Sequence, residues 1–285
     1  MLAFSLLLVI CSGLAHAIWN FLAKTHDDKA AFLWIILVPS NAILLVYAAL
    51  EIARKGLPWE GIVLAILSMT VQGLYASLLT HTYKMGDLSQ VYPIMRGTST
   101  LLVPIIGVVF LSESLHAYGW AGIVCMIAGF AVMSGWSPRS GDSGIALKPL
   151  LLALSVGLCT TSYTLIDKMF LQYLSPLSLL GIANIGFMAG ITRAVLPFGR
   201  VRRVWRQHRA TVLIGSLLSP GSYLLFLFAM EHAPVSNIAP LREVGIVFGT
   251  LLGLLFLKER HHLRRLAASA VIVAGIFLIA VLGTT

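Results

Sequence analysis

Long apolar stretches fill most of this chain, and short polar connections separate them. A helix needs roughly 20 apolar residues to cross the ~30 Å hydrocarbon core of a bilayer, and ten stretches come close to that length. They lie near 2–23, 31–50, 60–83, 88–111, 117–135, 149–171, 176–196, 210–230, 235–257 and 264–283. The pattern predicts an all-α integral membrane protein with ten transmembrane helices.

Composition supports a lipid environment. Hydrophobic residues make up 58% and charged residues 11% of the 285 residues, which lies outside the range of ordinary soluble domains. The formal net charge is +9, yet the basic residues fall mainly in short connections, as in membrane proteins, so we do not expect nucleic-acid binding. The three cysteines lie inside apolar stretches without metal-ligand spacing, and we expect them to be small buried side chains.

The fourth and ninth segments share a pattern of serine, proline, arginine and a closing Leu-x-Glu. It is carried by Ser89, Pro93, Arg96, Leu111 and Glu113 in the fourth segment and by Ser236, Pro240, Arg242, Leu257 and Glu259 in the ninth. Gly13-Leu14 in the first segment likewise recurs as Gly157-Leu158 in the sixth. The similar sequence offsets predict two related halves, 1–136 and 149–285, joined by a turn-rich linker at 137–148.

Each half would hold five helices. Because five crossings are an odd number, the second half enters the membrane from the opposite side, and we expect inverted repeats related by a pseudo-two-fold axis. The connections on one side of this topology carry 14 of the 20 Lys and Arg residues, and those on the other side carry three. The positive-inside rule then predicts that both termini lie outside. We expect a multi-pass protein of the cell membrane, in a bacterial inner membrane.

Two arginines lie deep inside apolar segments. Arg96 and Arg242 are about eight residues into segments four and nine, roughly 12 Å from the membrane face, where neither can easily snorkel to water. An unpaired guanidinium there costs at least ~2.5–3.5 kcal/mol, so both should face the interior. With Glu243 as the interior carboxylate, about one positive charge remains for an anionic or zwitterionic solute. The structural alternative pairs Arg242 with Glu243 and Arg96 with backbone carbonyls or a hydroxyl.

Prolines precede both arginines. Pro93 and Pro240 lack an amide hydrogen and clash with the carbonyl four residues earlier, so we expect each helix to kink or break just before its arginine. Carbonyl groups freed in this way beside a charge suit a binding site at mid-depth. The alternative is that the prolines have no functional role, because membrane helices tolerate proline.

Further polar and aromatic side chains are candidates for binding a solute. His16, Trp19 and Asn20 lie on one face of the first segment at spacings of three and four residues. Tyr75 in the third segment and Tyr92 beside the first proline are at plausible depth. The alternative for His16 is a buried histidine that is satisfied by a backbone carbonyl.

The remaining acids and motifs indicate no enzyme. We interpret Glu113 and Glu259 as interfacial anchors or caps, and Asp167 with Lys168 as an adjacent, self-screening pair. The sequence contains no GxSxG, HExxH or phosphate-binding glycine-rich motif. We therefore expect no catalytic residues, no bound metal and no cofactor.

Motifs in both halves resemble those of the drug/metabolite transporter superfamily, in its EamA-like branch. They are Gly13-Leu14-Ala15-His16-Ala17-Ile18-Trp19-Asn20, Leu111-Ser112-Glu113 after a proline-containing helix, Ala239-Pro240-Leu241-Arg242-Glu243, and Leu257-Lys258-Glu259-Arg260. The resemblance spans nearly the whole chain and implies ten helices in two EamA repeats. In many members of this branch the termini are cytoplasmic, which is opposite to the orientation that the charge count gives.

One further segment, Val91-Tyr92-Pro93-Ile94-Met95-Arg96-Gly97, is similar to a subgroup labelled as phosphonate-utilisation-associated membrane proteins. We expect a secondary transporter of a small amino acid, amine or phosphonate-type solute that binds between the repeats and moves by alternating access. A proton or counter-substrate could be coupled through His16 or Glu243, and a homodimer is left open. The alternatives are a flippase or accessory subunit for a phosphorylated lipid carrier, and a membrane enzyme or receptor.

Overall fold

The structure is a computed structural model that describes residues 2–24, 26, 28–85, 88–134, 147–257 and 262–282. Every regular element within these ranges is a helix. The helices are α1 (Leu2–Lys24), α2 (Lys29–Lys55), α3 (Trp59–Met85), α4 (Leu88–Phe110), α5 (Ala117–Ser134), α6 (Leu147–Phe170), α7 (Pro176–Val195), α8 (Gly199–Gln207), α9 (Arg209–His232), α10 (Val235–Leu241), α11 (Val244–Leu257) and α12 (His262–Phe277), which continues as a π-helical turn, Leu278–Leu282. Most of the predicted linker, residues 137–146, and Glu259 lie outside the described residues.

Eight helices in the described ranges, α1 to α7 and α9, are long and apolar enough to cross a membrane. Large apolar side chains such as Ile43, Phe110 and Leu217 are more than 70% exposed on their outer faces, as expected where the solvent is lipid. The chain is therefore a multi-pass α-helical membrane protein. The ninth predicted segment is present as the two shorter helices α10 and α11, and the tenth as α12 and its π-helical turn.

The two prolines behave differently from each other. We expected a kink or a break before Arg96, but α4 continues through Pro93 without a break. Pro93 is in the second turn of α4, where it removes one backbone hydrogen bond. After Pro240, α10 ends at Leu241, and the amides of Glu243 and Gly245 bond three residues back to Pro240 and Arg242.

Helices from the two halves pack closely against one another. α1 contacts α9 and α11, while α6 contacts α3 and α4. Two glycines allow these approaches, because a Cβ added at Gly13 would lie 2.6 Å from Val244 Cγ1, and one added at Gly157 would lie 2.5 Å from Thr98 Cβ. Small residues of this kind let membrane helices approach closely. α1 and α6 are thereby held against the arginine-bearing segments.

One element was not predicted. The connection between α7 and α9 contains the short amphipathic helix α8, whose Val201 and Val204 are buried while Arg202 and Arg203 are exposed. The helix contacts α2 and α9. Its nine residues are too few for a spanning segment, so an analysis of hydrophobic length assigns them to a loop.

Candidate functional site

The interruption between α10 and α11 brings an acid against the arginine of α4. Arg96 donates from Nε to Glu243 Oε2 at 2.8 Å and from Nη2 to Oε1 at 2.5 Å. The Glu243 side chain is 4% exposed and that of Arg96 is 13% exposed. This two-pronged geometry is the strongest form of the arginine–carboxylate pair. It joins the two segments that carry the repeated proline–arginine pattern.

Arg242 is left without an acid among the described side chains. Its residue is 8% exposed, and its Nε is buried with no hydrogen-bond partner in that part of the chain. The guanidinium carbon lies 5.0 Å from the ring centre of Tyr223 and 4.7 Å from that of Phe226. Cation–π contact lowers the cost of burial but uses the π faces of the rings and leaves the N–H groups free. The alternative pairing of Arg242 with its neighbour Glu243 is therefore wrong.

The polar face of α1 lies beside this interruption. A Cβ at Gly13 would be 3.3 Å from the Arg242 carbonyl oxygen, and His16 is one turn further along the same face. The rings of His16 and Trp19 are 5.1 Å apart and nearly perpendicular. His16 Nδ1 and Trp19 Nε1 are both buried without a partner among the described residues. Asn20 instead turns back to donate to the His16 carbonyl oxygen at 2.8 Å.

Tyrosines surround the arginines. Tyr92 is near enough to Arg96, Glu243 and Arg242 to interact with all three charges. Tyr75 lies farther away: its ring is 5.4 Å from that of Tyr163, which is 5.9 Å from Tyr223. The candidates Arg96, Arg242, Glu243, His16 and Tyr92 therefore lie in one region, Trp19 and Asn20 continue along α1, and Tyr75 is reached through Tyr163.

Asp167 is an interior acid that the sequence analysis did not place in the site. It has no exposed surface, and its carboxylate accepts from Ser68 Oγ and Tyr223 Oη, each at 2.6 Å. The predicted pair with Lys168 is wrong, because Lys168 donates to the carbonyl oxygens of Met230 and, at 3.1 Å, Ala233. A regular spacing could have indicated Asp167. Thr160, Tyr163, Thr164 and Asp167 form a polar stripe on α6 at spacings of three and four residues.

Two other acids bind the starts of helices. Glu113 accepts from the amides of Val235 and Ser236, each at 2.8 Å, at the first turn of α10. Glu51 accepts from Ser175 Oγ at 2.6 Å and from Ser178 Oγ at 2.5 Å at the first turn of α7. A carboxylate at a helix N-terminus satisfies free amides and favours the helix dipole. The interpretation of Glu113 as a cap thus agrees with its contacts, although the helix that it caps belongs to the other half.

The arrangement can bind an anion and orient it by hydrogen bonds. Arg242 supplies the charge, while His16 and Trp19 supply ring nitrogens that have no partner among the residues the structure describes. Among the described residues, no group of three or more His, Cys, Asp or Glu side chains has the geometry of a metal site.

Comparison with known proteins identifies the family. A family model described as the EamA-like transporter family matches residues 147–281. Multidrug resistance protein EbrA of Bacillus licheniformis is 30% identical over 87 residues, which are 30% of this chain and 80% of that protein. The chain belongs to the EamA-like transporter family. It is a transport protein of the drug/metabolite transporter superfamily, as its motifs implied.

Two longer matches extend over more of this EamA chain. A putative sugar uptake protein of Lactobacillus johnsonii is 25% identical over 214 residues, which are 70% of this chain and 69% of that protein. A solved structure titled only as a crystal structure of a protein superimposes with a TM-score of 0.73 over 99% of both chains, at 13% sequence identity. At that identity the match concerns the fold alone.

Proposed function

We propose that this EamA protein is a secondary transporter of a small anionic or zwitterionic solute, which binds to Arg242 between the two halves. The observation that carries the proposal is the pairing of charges in the interior. Glu243 is bound to Arg96, and Asp167 is bound to hydroxyl groups, so the buried guanidinium of Arg242 has no acid of its own among the described residues. A buried charge without a partner is costly, and a carboxylate, phosphonate or phosphate on the solute would supply one.

Unpaired polar atoms beside Arg242 support the same site. His16 Nδ1 and Trp19 Nε1 are buried on the face of α1 that packs against the interruption. Buried polar groups in proteins nearly always have a partner, so several unpaired ones in one region favour a ligand. Tyr92 and Tyr223 add aromatic surface for the rest of the molecule. We propose the full set as the solute site: Arg242, His16, Trp19 and Tyr92 in contact with it, Arg96 and Glu243 as the pair that fixes its wall, and Asn20 and Tyr75 at its margin.

A ten-helix arrangement of two inverted repeats, residues 1–136 and 149–285, would place this site near the middle of the membrane. The packing supports the repeats, because exchanging the halves converts most observed helix contacts into others that are also observed. The contact of α1 with α9 corresponds to that of α6 with α3, and α1 with α11 corresponds to α6 with α4. Rocking of one half against the other would then expose Arg242 to each side in turn.

The names of the relatives leave the solute open. A sugar has no charge to offer Arg242, whereas the drugs carried by multidrug transporters are chemically diverse. The interior of this chain favours an acid group on the solute, of the amino-acid or phosphonate type. A headgroup of a phosphorylated lipid would satisfy the same arginine, so lipid flipping is the alternative that a transport assay must separate.

Thermal unfolding of the purified protein with small solutes tests the proposal, because a bound ligand raises the unfolding temperature by mass action. The panel contains glycine, 2-aminoethylphosphonate, methanesulfonate, glucose and methylamine. We expect acidic or zwitterionic compounds to stabilise the protein and glucose and methylamine to have no effect. Uptake of the stabilising compound into liposomes that contain the protein would then identify it as a transported solute.

Two variants sharpen this test. Arg242→Gln should weaken binding about 10- to 100-fold, which is the loss of one charge-assisted contact. Arg193→Gln is the matched control, because Arg193 is an exposed arginine on α7, and it should bind like the unchanged protein. Stabilisation by glucose that survives Arg242→Gln would contradict the proposal. Movement of a phosphorylated lipid, with no effect of any soluble compound, would favour the flippase.

A further inference from the structure

Asp167 is a buried acid that the proposed solute site does not use. It lies on α6 with no exposed surface. Ser68 on α3 donates to Oδ1 and Tyr223 on α9 donates to Oδ2, each at 2.6 Å. Gln72, one turn along α3, is near enough to interact with the same carboxyl group. Three helices thus converge on one carboxyl group.

The partners of Asp167 are all neutral. No lysine, arginine or histidine of the described chain lies within 4 Å of this carboxylate, and Lys168 points to backbone carbonyls instead. Hydroxyl groups both donate and accept, so Ser68 and Tyr223 can donate to an ionised carboxylate or accept from a protonated one. The surroundings therefore suit both charge states, which a group that binds and releases a proton requires.

The other titratable or charged groups near Asp167 leave it without a counter-ion. On α3 the titratable side chain is Tyr75, whose ring contacts that of Tyr163, and Tyr163 is on α6 itself. On α4 the charged side chain is Arg96, which is bound to Glu243. On α9 the titratable side chain is Tyr223, the direct partner of the carboxylate. The charge state of Asp167 is thus set by hydrogen bonds and burial and not by an ion pair.

Tyr223 connects Asp167 to the solute site. Its hydroxyl binds the carboxylate, and its ring lies 5.0 Å from the guanidinium carbon of Arg242. An ionised Asp167 would repel an anion bound at Arg242 on the other side of this ring. Protonation of Asp167 would remove that repulsion, so an anion at Arg242 would bind more tightly.

We propose that Asp167 is the proton-binding residue of this transporter, and that protonation of Asp167 and binding of an anion at Arg242 favour each other. One proton from the aqueous side would bind to a carboxylate oxygen of Asp167, and the proton and the anion would leave together on the other side, which is symport. Linkage requires the effect to be reciprocal. The anion part of this inference rests on the proposed function, whereas the proton site does not.

Infrared spectroscopy tests the proton site without any ligand. Difference spectra of the purified protein between acid and neutral pH should contain the carbonyl band of a protonated carboxyl group. Asp167→Asn should remove that band, and Asp167→Glu should keep a band at a shifted frequency. Glu60→Gln changes an exposed acid and should leave it intact. If Asp167→Asn fails to fold, the frequency shift in Asp167→Glu still assigns the band. A band that neither Asp167 variant alters overturns the proposal, and so does the absence of any such band.

Proton uptake upon anion binding tests the coupling. Methanesulfonate is the probe, because it remains a monovalent anion throughout, and a pH-indicator dye in weak buffer reports the protons. Near the midpoint of the infrared titration Asp167 is already half protonated, so the unchanged protein should take up at most about half a proton for each anion bound. Asp167→Asn should bind the anion with an affinity that does not depend on pH, and should take up none.

The outcomes distinguish the two proposals. Arg242→Gln should lose methanesulfonate binding and keep the infrared band. Binding of methanesulfonate without proton uptake would overturn the coupling while leaving the solute site in place. A titrating Asp167 band in a protein that binds no acidic solute would instead contradict the proposed solute chemistry and leave the proton site standing.

Discussion

At the scale of single residues, the pairing of acidic and basic side chains determines how charge is distributed in the interior of this protein. Glu243 follows Arg242 directly in the sequence but binds Arg96, which belongs to the other half. Both residues lie in the interruption between α10 and α11, where the Arg242 side chain lies against Tyr223 and Phe226 while Glu243 reaches Arg96. The exchange of partners leaves Arg242 unpaired among the described side chains, and this is the basis of the proposed preference for an acidic solute.

Loss of the Glu243 charge should strongly destabilise the protein. Glu243→Gln leaves the Arg96 guanidinium buried without its counter-ion, and breaking a buried pair from one side typically costs about 3–5 kcal/mol. We expect a large fall in the thermal unfolding temperature. Replacing both residues, Arg96→Met with Glu243→Met, should recover much of this stability because no uncompensated charge remains. Unchanged unfolding of Glu243→Gln would show that the pair carries little of the folding free energy.

The sequence predicted the depth of the key charged residues in the membrane better than it predicted which residues they bind. Arg96 and Arg242 were predicted to be interior, because a charge in the middle of an apolar segment has few other places to go. Asp167 was missed, because an acid near the end of a segment and next to a lysine is most simply an exposed pair. The direction of Lys168 decides between the two cases, and that direction depends on the carbonyl groups at the end of α9, which are far away in sequence.

At the scale of helices, two glycines hold equivalent positions in the two halves. Gly13 of α1 lies against Val244 and the Arg242 carbonyl, and Gly157 of α6 lies against Thr98 and the Met95 carbonyl. Gly13 therefore sets the distance between α1 and the segment that carries Arg242. Gly157 sets the distance between α6 and α4, which carries Arg96. The offsets between the equivalent partners agree with those of the repeated sequence pattern, which supports the division into two related halves.

Adding a methyl group at either glycine should separate these helices. A Cβ at Gly13 would lie 2.6 Å from Val244 Cγ1, and one at Gly157 would lie 2.9 Å from the Met95 carbonyl oxygen. Overpacking of this kind costs about 1–3 kcal/mol, so Gly13→Ala and Gly157→Ala should each lower the thermal unfolding temperature. Gly221→Ala is the control, since nothing lies within 4 Å of the added Cβ, and it should be neutral or slightly stabilising. Equal effects at all three positions would contradict the close approach.

Hydrophobic length predicted most helices but not their interruptions. The eight long helices lie close to the predicted segments, because the length of an apolar stretch and the thickness of the bilayer together determine where a spanning helix begins and ends. Pro93 and Pro240 look alike in sequence, yet the helix ends only after Pro240. Each proline is the sixth residue of its helix, so the length of helix before it does not explain the difference. The Arg96–Glu243 contact holds the interrupted turn against α4, and a contact between residues so far apart in sequence is not visible in a local pattern.

At the scale of the whole molecule, the halves are interleaved and not separate domains. The strongest packing in each half is against the other half, as for α1 on α9, α3 on α7 and α5 on α12. The proposed solute site between the halves would therefore change shape whenever they moved relative to one another. Transport by alternating access needs such a site, and it also needs the two ends of the molecule to face different compartments.

Labelling of single cysteines determines which end faces which compartment. Pro58→Cys lies in the exposed connection between α2 and α3, and Gln207→Cys at the exposed end of α8. Neither change alters the number of basic residues, and Cys11, Cys125 and Cys159 would first be replaced by alanine. Five helices, α3 to α7, separate the two positions, so they should lie on opposite sides.

The positive-inside rule predicts that a membrane-impermeant maleimide labels Pro58→Cys in intact cells and labels Gln207→Cys only after permeabilisation. The reverse pattern would give the cytoplasmic termini that the motif resemblance implies, because α8 and its arginines would then face outward. Labelling of both positions in intact cells would contradict an odd number of crossings between them, and with it the inverted relation of the two halves.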